Sequence, residues 1–263
     1  MKETHILHPV LTPFAHIPLG HKLSIISFWI IIIVCIWLNA PVMLPTPSAV
    51  GTQLIELFST PDFYGDLTSS LWLTIRAMFL SILIASILSY LYPIGLFKWL
   101  IEKLVKIRYM SLMGFFFAFM IMFTQGSTIK TVFLMFGIIP FFTLSLISVI
   151  NRIRQCEYDL WTTLGFSKWE QIYEIIIRGK LDYLFEAVRA NFAMGWLMIT
   201  MVESFSMADG GLGVLLFKFN KYNQLDKIFA LQIIIFCLGM GFDYILQQAR
   251  YLCFPYVALT EKK

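Results

Sequence analysis

Long stretches without a charged residue constrain this chain more than any other feature of its sequence. Four of them are strongly apolar: residues 23–40, 77–97, 109–129 and 131–151. A bilayer core of about 30 Å is crossed by roughly 20 helical residues, which is about the length of each stretch. Because only 14% of the residues are charged and 59% are hydrophobic, lipid must solvate most of the chain.

Two further apolar stretches each carry one acidic residue. Glu203 lies in residues 190–207, and Asp243 lies in residues 228–249. The second span is predicted to start near Thr68, which brings Arg76 into the membrane. Together the stretches predict an all-α integral membrane protein with six transmembrane helices. The first is predicted to be an uncleaved span, because no small-x-small cleavage site follows it.

The distribution of lysine and arginine predicts the orientation of the spans. Fifteen of the 20 basic residues fall on one side and four on the other, while Arg76 lies within the membrane. Since basic residues accumulate in cytoplasmic loops, both termini are expected in the cytoplasm. Residues 1–22 are then an N-terminal tail, and residues 23–263 form a single transmembrane domain.

Composition also argues against two other kinds of binding site. The net charge of +4 is too small to indicate a nucleic-acid partner. The four cysteines lie far apart and lack metal or redox spacing. The four histidines near the N-terminus do not fall on one helix face. We therefore predict neither nucleic-acid binding nor a metal site.

Residues 41–67 are predicted to form an outer loop that contains a short helix. Thr46 suits the N-cap of this helix and Pro47 its first position. The apolar residues that follow share one face: Val50, Leu54, Leu57 and Phe58. We expect this helix to pack against the bundle from outside.

The connection formed by residues 151–189 is the most informative segment. It is too long for a helix turn and too short for a domain. Two helical patterns, 156–164 and 167–177, are separated by Gly165, which ends a helix readily because glycine adopts the left-handed conformation. Exposed aromatic residues interleaved with charges are typical of a surface that docks onto another protein. They are Trp161, Phe166, Trp169 and Tyr173. An amphipathic helix pair lying on anionic lipid would give the same pattern.

This connection resembles the cytoplasmic signature of permease subunits of binding-protein-dependent ABC importers. The signature reads Glu-Ala-Ala, three residues, Gly, nine residues and then Ile-x-Leu-Pro. Gly165 and Ile175 match it in register, and Asp159 stands where Glu is usual. Four positions depart from it: Leu160, Trp161, Ile177 and Arg178.

Other segments resemble the permeases for nitrate, sulfonates, taurine, bicarbonate and thiamine precursors. They include residues 44–50, residues 65–71, Glu203 followed by residues 211–213, and residues 225–256. The resemblance covers most of the chain. It departs at the entry to the third span, where Tyr109-Met110-Ser111-Leu112 replaces a proline-containing sequence.

The resemblance implies a type I ABC importer permease fold in the bacterial cytoplasmic (inner) membrane. Two permeases, either two copies or this chain and a sister permease, would alternate access while seated on two ABC ATPase subunits. An extracytoplasmic solute-binding protein would deliver a small anionic solute. The coupling residues on this chain would be Asp159, Gly165, Phe166, Ser167, Lys168, Trp169 and Glu170.

A phosphate-binding loop is missing from the sequence. Gly179-Lys180 is followed by Leu181 and lacks the upstream glycine of that motif. The resemblance therefore implies that ATP and Mg²⁺ bind to the partner ATPase. This chain is expected to bind no cofactor and to be a transport subunit rather than an enzyme.

Charged residues inside the spans have open interpretations. An arginine or aspartate at the centre of a membrane helix costs about 2.5–3.5 kcal/mol on insertion scales. Glu203 is a structural partner for Arg76 or for a backbone amide, or it has a gating role. Arg76 is expected to pair or snorkel more readily than to contact an anionic solute. Asp243 is expected to be structural.

Two other functions remain as alternatives. An integral-membrane enzyme would use Glu203, Asp243 and Arg76 on a lipid-soluble substrate, but the sequence lacks a nucleophile–base or metal-ligand constellation. A degenerate permease-like scaffold that no longer transports would explain the imperfect signature.

Overall fold

The computed structural model describes residues 19–38, 44–123, 125–207 and 210–255, and within these ranges it contains helices and no β-strand. The α-helices in chain order are α1 (Leu19–Leu38), α2 (Pro47–Ser59), α3 (Pro61–Leu91), α4 (Gly95–Val105), α5 (Leu112–Met122), α6 (Gly126–Asn151), α7 (Gln155–Thr163), α8 (Lys168–Gln171), α9 (Leu181–Phe205), α10 (Leu212–Lys221) and α11 (Leu225–Cys253). A 3-10 turn, Lys106–Tyr109, continues α4, and a π-helical segment, Ile172–Arg178, continues α8.

Four helices in the described ranges are long and apolar enough to cross a membrane: α1, α3, α6 and α11. The rod formed by α4 and its 3-10 turn is bent by 105° from α5, and the pair would be a fifth span if it crossed as one unit. Helix α9 is continuous over 25 residues, or about 37 Å, but it contains four charged residues. These are Asp182, Glu186, Arg189 and Glu203. The structure therefore supports several membrane helices, while the number six stays a prediction.

The third predicted span, residues 109–129, differs from the structure. Helix α5 has only 11 residues, or about 16 Å, because Ser111 and Phe123, which flank it, have extended backbone. Helix α6 then begins at Gly126, so Lys130 lies inside a helix and not in a turn between spans. Absence of charge marks apolar sequence, but it does not show where a helix breaks.

Helices α3, α6 and α9 form the centre of the bundle, with α6 packed against both of the others. Helices α3 and α6 run in the same direction. Ser69 and Ser127, near their starts, line one cavity. The Ser89 hydroxyl, near the end of α3, donates to the Thr143 carbonyl at 3.4 Å. The carboxyl ends of both helices therefore lie on the same side of the bundle.

Helix α2 confirms the short helix predicted for the outer loop. The Thr46 hydroxyl accepts a hydrogen bond from the Ala49 amide at 3.4 Å, and Pro47 occupies the first turn. Val50 and Leu57 are buried as the helix packs on α11 and α3. By contrast, most side chains of α1 are exposed along its length. The division into residues 1–22 and 23–263 stays a prediction, because residues 1–18 lie outside the described ranges.

Candidate functional site

A sharp turn joins α7 to α8 in the predicted coupling segment. Gly165 has φ +83°, the left-handed conformation expected from the sequence. Its N–H donates to the Thr162 carbonyl at 3.0 Å, and the Phe166 N–H donates to the Trp161 carbonyl at 3.1 Å. The rings of Trp161 and Phe166 meet edge to face with centroids 4.6 Å apart. Two backbone bonds and an apolar contact across a glycine form a Schellman motif, which fixes the direction in which α8 leaves.

The start of α8 is held by a reciprocal capping box. The Ser167 hydroxyl accepts from the Glu170 N–H at 3.4 Å, and the Glu170 carboxylate accepts from the Ser167 N–H at 2.7 Å. Hydrogen bonds from the Ser167 hydroxyl and then from its N–H lower the pKa of the exposed Glu170 carboxyl. The predicted cap at Ser167 is thus confirmed, and Glu170 has a local structural role there.

Gln171 completes the turn, and the sequence interpretation missed it. Its side-chain amide is buried and donates to the Thr162 hydroxyl at 3.0 Å and to the Phe166 carbonyl at 3.1 Å. These two bonds tie α8 back onto α7. Its spacing in the sequence could have indicated this burial, because Gln171 lies four residues before the apolar Ile175 and so shares its helix face.

The exposed surface of the α7–α8 turn is unusually apolar for a solvated connection. Five large side chains are exposed there: Leu160, Leu164, Phe166, Trp169 and Tyr173. Asp159 and Lys168 are exposed on the same turn. The structure therefore brings all seven predicted coupling residues into one compact element, with Trp161 packed on Phe166. Such exposed clusters mark sites that bind a protein partner or a membrane.

The π-helical segment Ile172–Arg178 attaches this surface to the bundle. Ile175 and Ile176 are buried, and the segment contacts α3 and α9. The Gly179 N–H donates to the Glu174 carbonyl at 2.9 Å, five residues back. Lys180 pairs with Glu157 of α7 at 3.6 Å. Because π-helical turns are rare and often occur at functional sites, this junction is a candidate for transmitting movement from the turn to the bundle.

Glu203 is fully buried within a polar cluster at the other end of the bundle. Its carboxylate accepts from the Ser70 hydroxyl at 2.7 and 2.9 Å and from the Gly213 N–H at 2.8 Å. The Ser70 oxygen in turn accepts from the Leu212 N–H at 2.8 Å. Of the interpretations open from the sequence, the geometry matches bonding to a backbone amide. These bonds join α9, α3 and the start of α10.

The glycines that follow Glu203 are required by the closeness of the backbone to its carboxylate. Gly211 has φ +124°, and a Cβ on it would lie 2.5 Å from a carboxylate oxygen of Glu203. The Gly211 N–H donates to the Asp66 carboxylate at 2.8 Å. Lys130, only 2% exposed, donates to the Gly210 carbonyl at 3.0 Å and is a neighbouring positive charge to Glu203. Neither Lys130 nor Asp66 was anticipated, since each is distant from Glu203 in sequence.

Arg76 lies outside this cluster. It is exposed, and within the described part of the chain it forms no ion pair with Glu203 or another acid. It lines a cavity of about 170 Å³ between α3 and α6. The other residues that line this cavity are Ser69, Trp72, Leu73, Ser127, Lys130 and Thr131. The cavity therefore combines cationic side chains with three hydroxyl groups.

Asp243 forms a two-pronged ion pair. Its carboxylate accepts from the Arg189 guanidinium at 2.6 and 2.7 Å, linking α11 to α9. This geometry fits the structural role expected for Asp243. The partner was not predicted, because Arg189 was counted with the cytoplasmic connection. In the described ranges, no three His, Cys, Asp or Glu side chains come together as a metal site.

Comparison with known proteins gives one informative relative. No protein-family model matches the chain. The taurine transport system permease protein TauC of Escherichia coli (strain K12) is 20% identical over 245 residues, spanning 85% of this chain and 88% of that protein. The chain resembles an ABC importer permease of the taurine and sulfonate group. The comparison confirms the resemblance seen in the sequence, and with the apolar helices it supports a multi-pass membrane protein.

Proposed function

We propose that this chain is the transmembrane subunit of an ATP-driven importer and forms the path for a small anionic solute. The similarity to a permease protein along nearly the whole chain supports the class. In this proposal six helices cross the bacterial inner membrane with both termini in the cytoplasm. A separate ATPase binds ATP and Mg²⁺, an external binding protein delivers the solute, and a second permease completes the path.

The α7–α8 turn carries the proposal. It presents Trp169, 69% exposed, beside other apolar side chains on a turn whose geometry is fixed by backbone bonds and a capping box. A preformed apolar surface suits a protein groove, because little conformational entropy is lost when it binds. The buried Ile175 and Ile176 then transmit movement of this surface to α3 and α9. Alternating access requires such a mechanical link.

The cavity beside Arg76 supports an anionic solute. A guanidinium forms strong charge-assisted hydrogen bonds to carboxylate, sulfonate or phosphate oxygens, and neighbouring hydroxyls add donors. Arg76, Ser69 and Ser127 all line this cavity. Because the relative is named for taurine transport, taurine is the first solute to test; it is a zwitterion, and its anionic sulfonate is the group that this cavity would bind. Glu203 holds the α9–α10 turn against α3 and in this proposal keeps that side of the path closed.

The test begins with gentle purification of the tagged protein from its own host. We expect ATPase subunits near one per permease and ATP hydrolysis in the same sample. The exposed apolar surface of the α7–α8 turn is here called the docking surface. Trp169→Asp places a charge in it and is expected to abolish co-purification of the ATPase. Tyr222→Asp is the matched control, because Tyr222 is 68% exposed at the end of α10, outside the docking surface.

Each outcome separates the proposal from its alternatives. Loss of the ATPase in Trp169→Asp and retention in Tyr222→Asp supports coupling through this turn. A stable homo-oligomer without ATPase activity, purified in mild detergent, would contradict the importer and favour a membrane enzyme or a scaffold. Retention of the ATPase in both variants would show that coupling does not use the α7–α8 turn.

A further inference from the structure

Helix α4 is unlike the membrane helices of the bundle. It has only 11 residues, and with its 3-10 turn it lies at 105° to α5. Its buried Ile101 and Val105 pack on Tyr92, which follows α3, and on Ile147, near the end of α6. Because α3 and α6 run parallel, α4 lies across the ends of two neighbouring membrane-length helices. That is where a membrane protein meets the lipid headgroups.

A second face of α4 is apolar, and no residue in the described part of the chain covers it. Leu96 is 81% exposed and Trp99 is 65% exposed, and Leu100 is exposed beside them. Residues three and four apart share a helix face, so these side chains form one strip separate from the buried face. Tryptophan is enriched at the membrane interface, where its ring is embedded among headgroups.

Basic residues accompany this apolar strip. Lys98, Lys103 and Lys106 are exposed, and Lys103 lies 5.9 Å from the centre of the Trp99 ring. Arg108 donates to the Tyr109 hydroxyl at 2.7 Å. Glu102 is the one acidic residue from α4 through the 3-10 turn, and it accepts from the Tyr92 hydroxyl at 3.4 Å. The element therefore carries a net positive charge next to its apolar strip.

A cavity of about 320 Å³ opens beside the 3-10 turn, at the end of α6. Its polar lining consists of Tyr92, Glu102, Lys106, Arg108, Tyr109 and Asn151. Two cationic side chains with hydroxyl and amide donors suit a phosphodiester group, since charge-assisted bonds to phosphate oxygens are strong. The apolar strip of the same helix suits the glycerol and upper acyl region.

We propose that α4 lies in the plane of the membrane surface and binds an anionic phospholipid. Trp99, Leu96 and Leu100 enter the boundary between headgroups and acyl chains, while Lys103, Lys106 and Arg108 contact the lipid phosphate. Anionic lipid, rather than a protein, is the occupant, because the apolar strip is bordered by bases on an element that crosses the ends of membrane helices. The site is separate from the α7–α8 docking surface.

Native mass spectrometry of the full chain in mild detergent tests this proposal with phosphatidylglycerol and phosphatidylcholine as probes. Each basic residue near an anionic lipid surface contributes about 1 kcal/mol. Lys103→Gln with Lys106→Gln is therefore expected to weaken phosphatidylglycerol binding roughly thirtyfold at low ionic strength. Phosphatidylcholine binding should not change. Both lysines are exposed, so folding should be retained, which circular dichroism checks.

The matched control is Lys218→Gln with Lys221→Gln, which removes two exposed lysines from the similarly short α10. An equal loss of phosphatidylglycerol binding in both double variants, or no loss of binding in either, would overturn the proposal. Loss of a co-purifying protein with unchanged lipid binding would instead make α4 a protein docking surface. As a second readout, brominated phosphatidylglycerol should quench tryptophan fluorescence, and the part of this quenching that Trp99 contributes should be missing in Trp99→Phe. Quenching that is the same in Trp99→Phe would place α4 away from the lipid.

Discussion

Replacing Gly165 with valine should damage the α7–α8 turn through the backbone alone. No atom lies within 4 Å of a Cβ built on Gly165, so space is available for a side chain. The φ of +83°, however, costs an L-residue about 1–2 kcal/mol, and a β-branched residue is disfavoured further. We estimate a loss of about 2 kcal/mol, which lowers the equilibrium constant between the native turn and its other conformations roughly thirtyfold. The Phe166–Trp161 backbone bond would be lost with that turn.

The assay is ATPase activity retained with the purified permease, normalised to permease content. Gly165→Val is expected to retain less ATPase activity than the wild type, by up to roughly thirtyfold. Gly165→Asn should retain most of it, because asparagine tolerates the left-handed region. Gly114→Ala in α5 is the second control, since its Cβ also meets open space and its backbone is helical.

Wild-type ATPase retention in Gly165→Val would refute this reasoning, provided circular dichroism shows the same helix content. Equal losses in the valine and asparagine variants would show that an added side chain, rather than backbone conformation, matters at Gly165. Equal loss in Gly114→Ala would indicate a general instability of the complex.

Three further predictions concern other residues. Glu203→Leu leaves the buried Gly213 N–H and Ser70 hydroxyl without their acceptor and should destabilise the protein by about 2 kcal/mol or more. Glu203→Gln should destabilise it less, and thermal unfolding in detergent measures both variants. Arg76→Gln should reduce uptake of an anionic solute while ATPase co-purification stays at the wild-type level, and unchanged uptake would contradict the role of its cavity. Because the pKa of Glu170 is lowered in the folded turn, its capping contribution is present above the usual pKa of an unfolded glutamate and is lost as the pH falls through the lowered value. Acid titration of tryptophan fluorescence should therefore show a transition that both Glu170→Gln and Trp169→Phe lack.

Local sequence rules predicted the local features of this protein well. Thr46 and Pro47 start a helix, Gly165 ends one, and Ser167 starts the next, as their residue types indicate. In each case the determining interactions lie within a few residues along the chain. The apolar stretches likewise predicted the membrane-length helices α1, α3, α6 and α11, because a bilayer imposes length and composition together.

Features that depend on distant contacts were not predictable from one sequence. The partners of Glu203 lie on α3 and at the start of α10, and Arg189 meets Asp243 across 54 residues. Lys130 looked like a turn residue because a single base separates two apolar stretches, yet α6 begins before it and buries it. Tertiary packing determines the burial and the partners of such residues, and the local sequence pattern carries no information about that packing.

Site-specific photocrosslinking at position 169 tests the central claim most directly. A photoreactive phenylalanine analogue replaces Trp169 in the full chain, and the same analogue at Tyr222 serves as the control. The proposed function predicts that position 169 is linked to a subunit with a nucleotide-binding P-loop and that position 222 is not. Absence of that subunit from the position-169 product, or equal linkage at both positions, would contradict coupling through the α7–α8 turn.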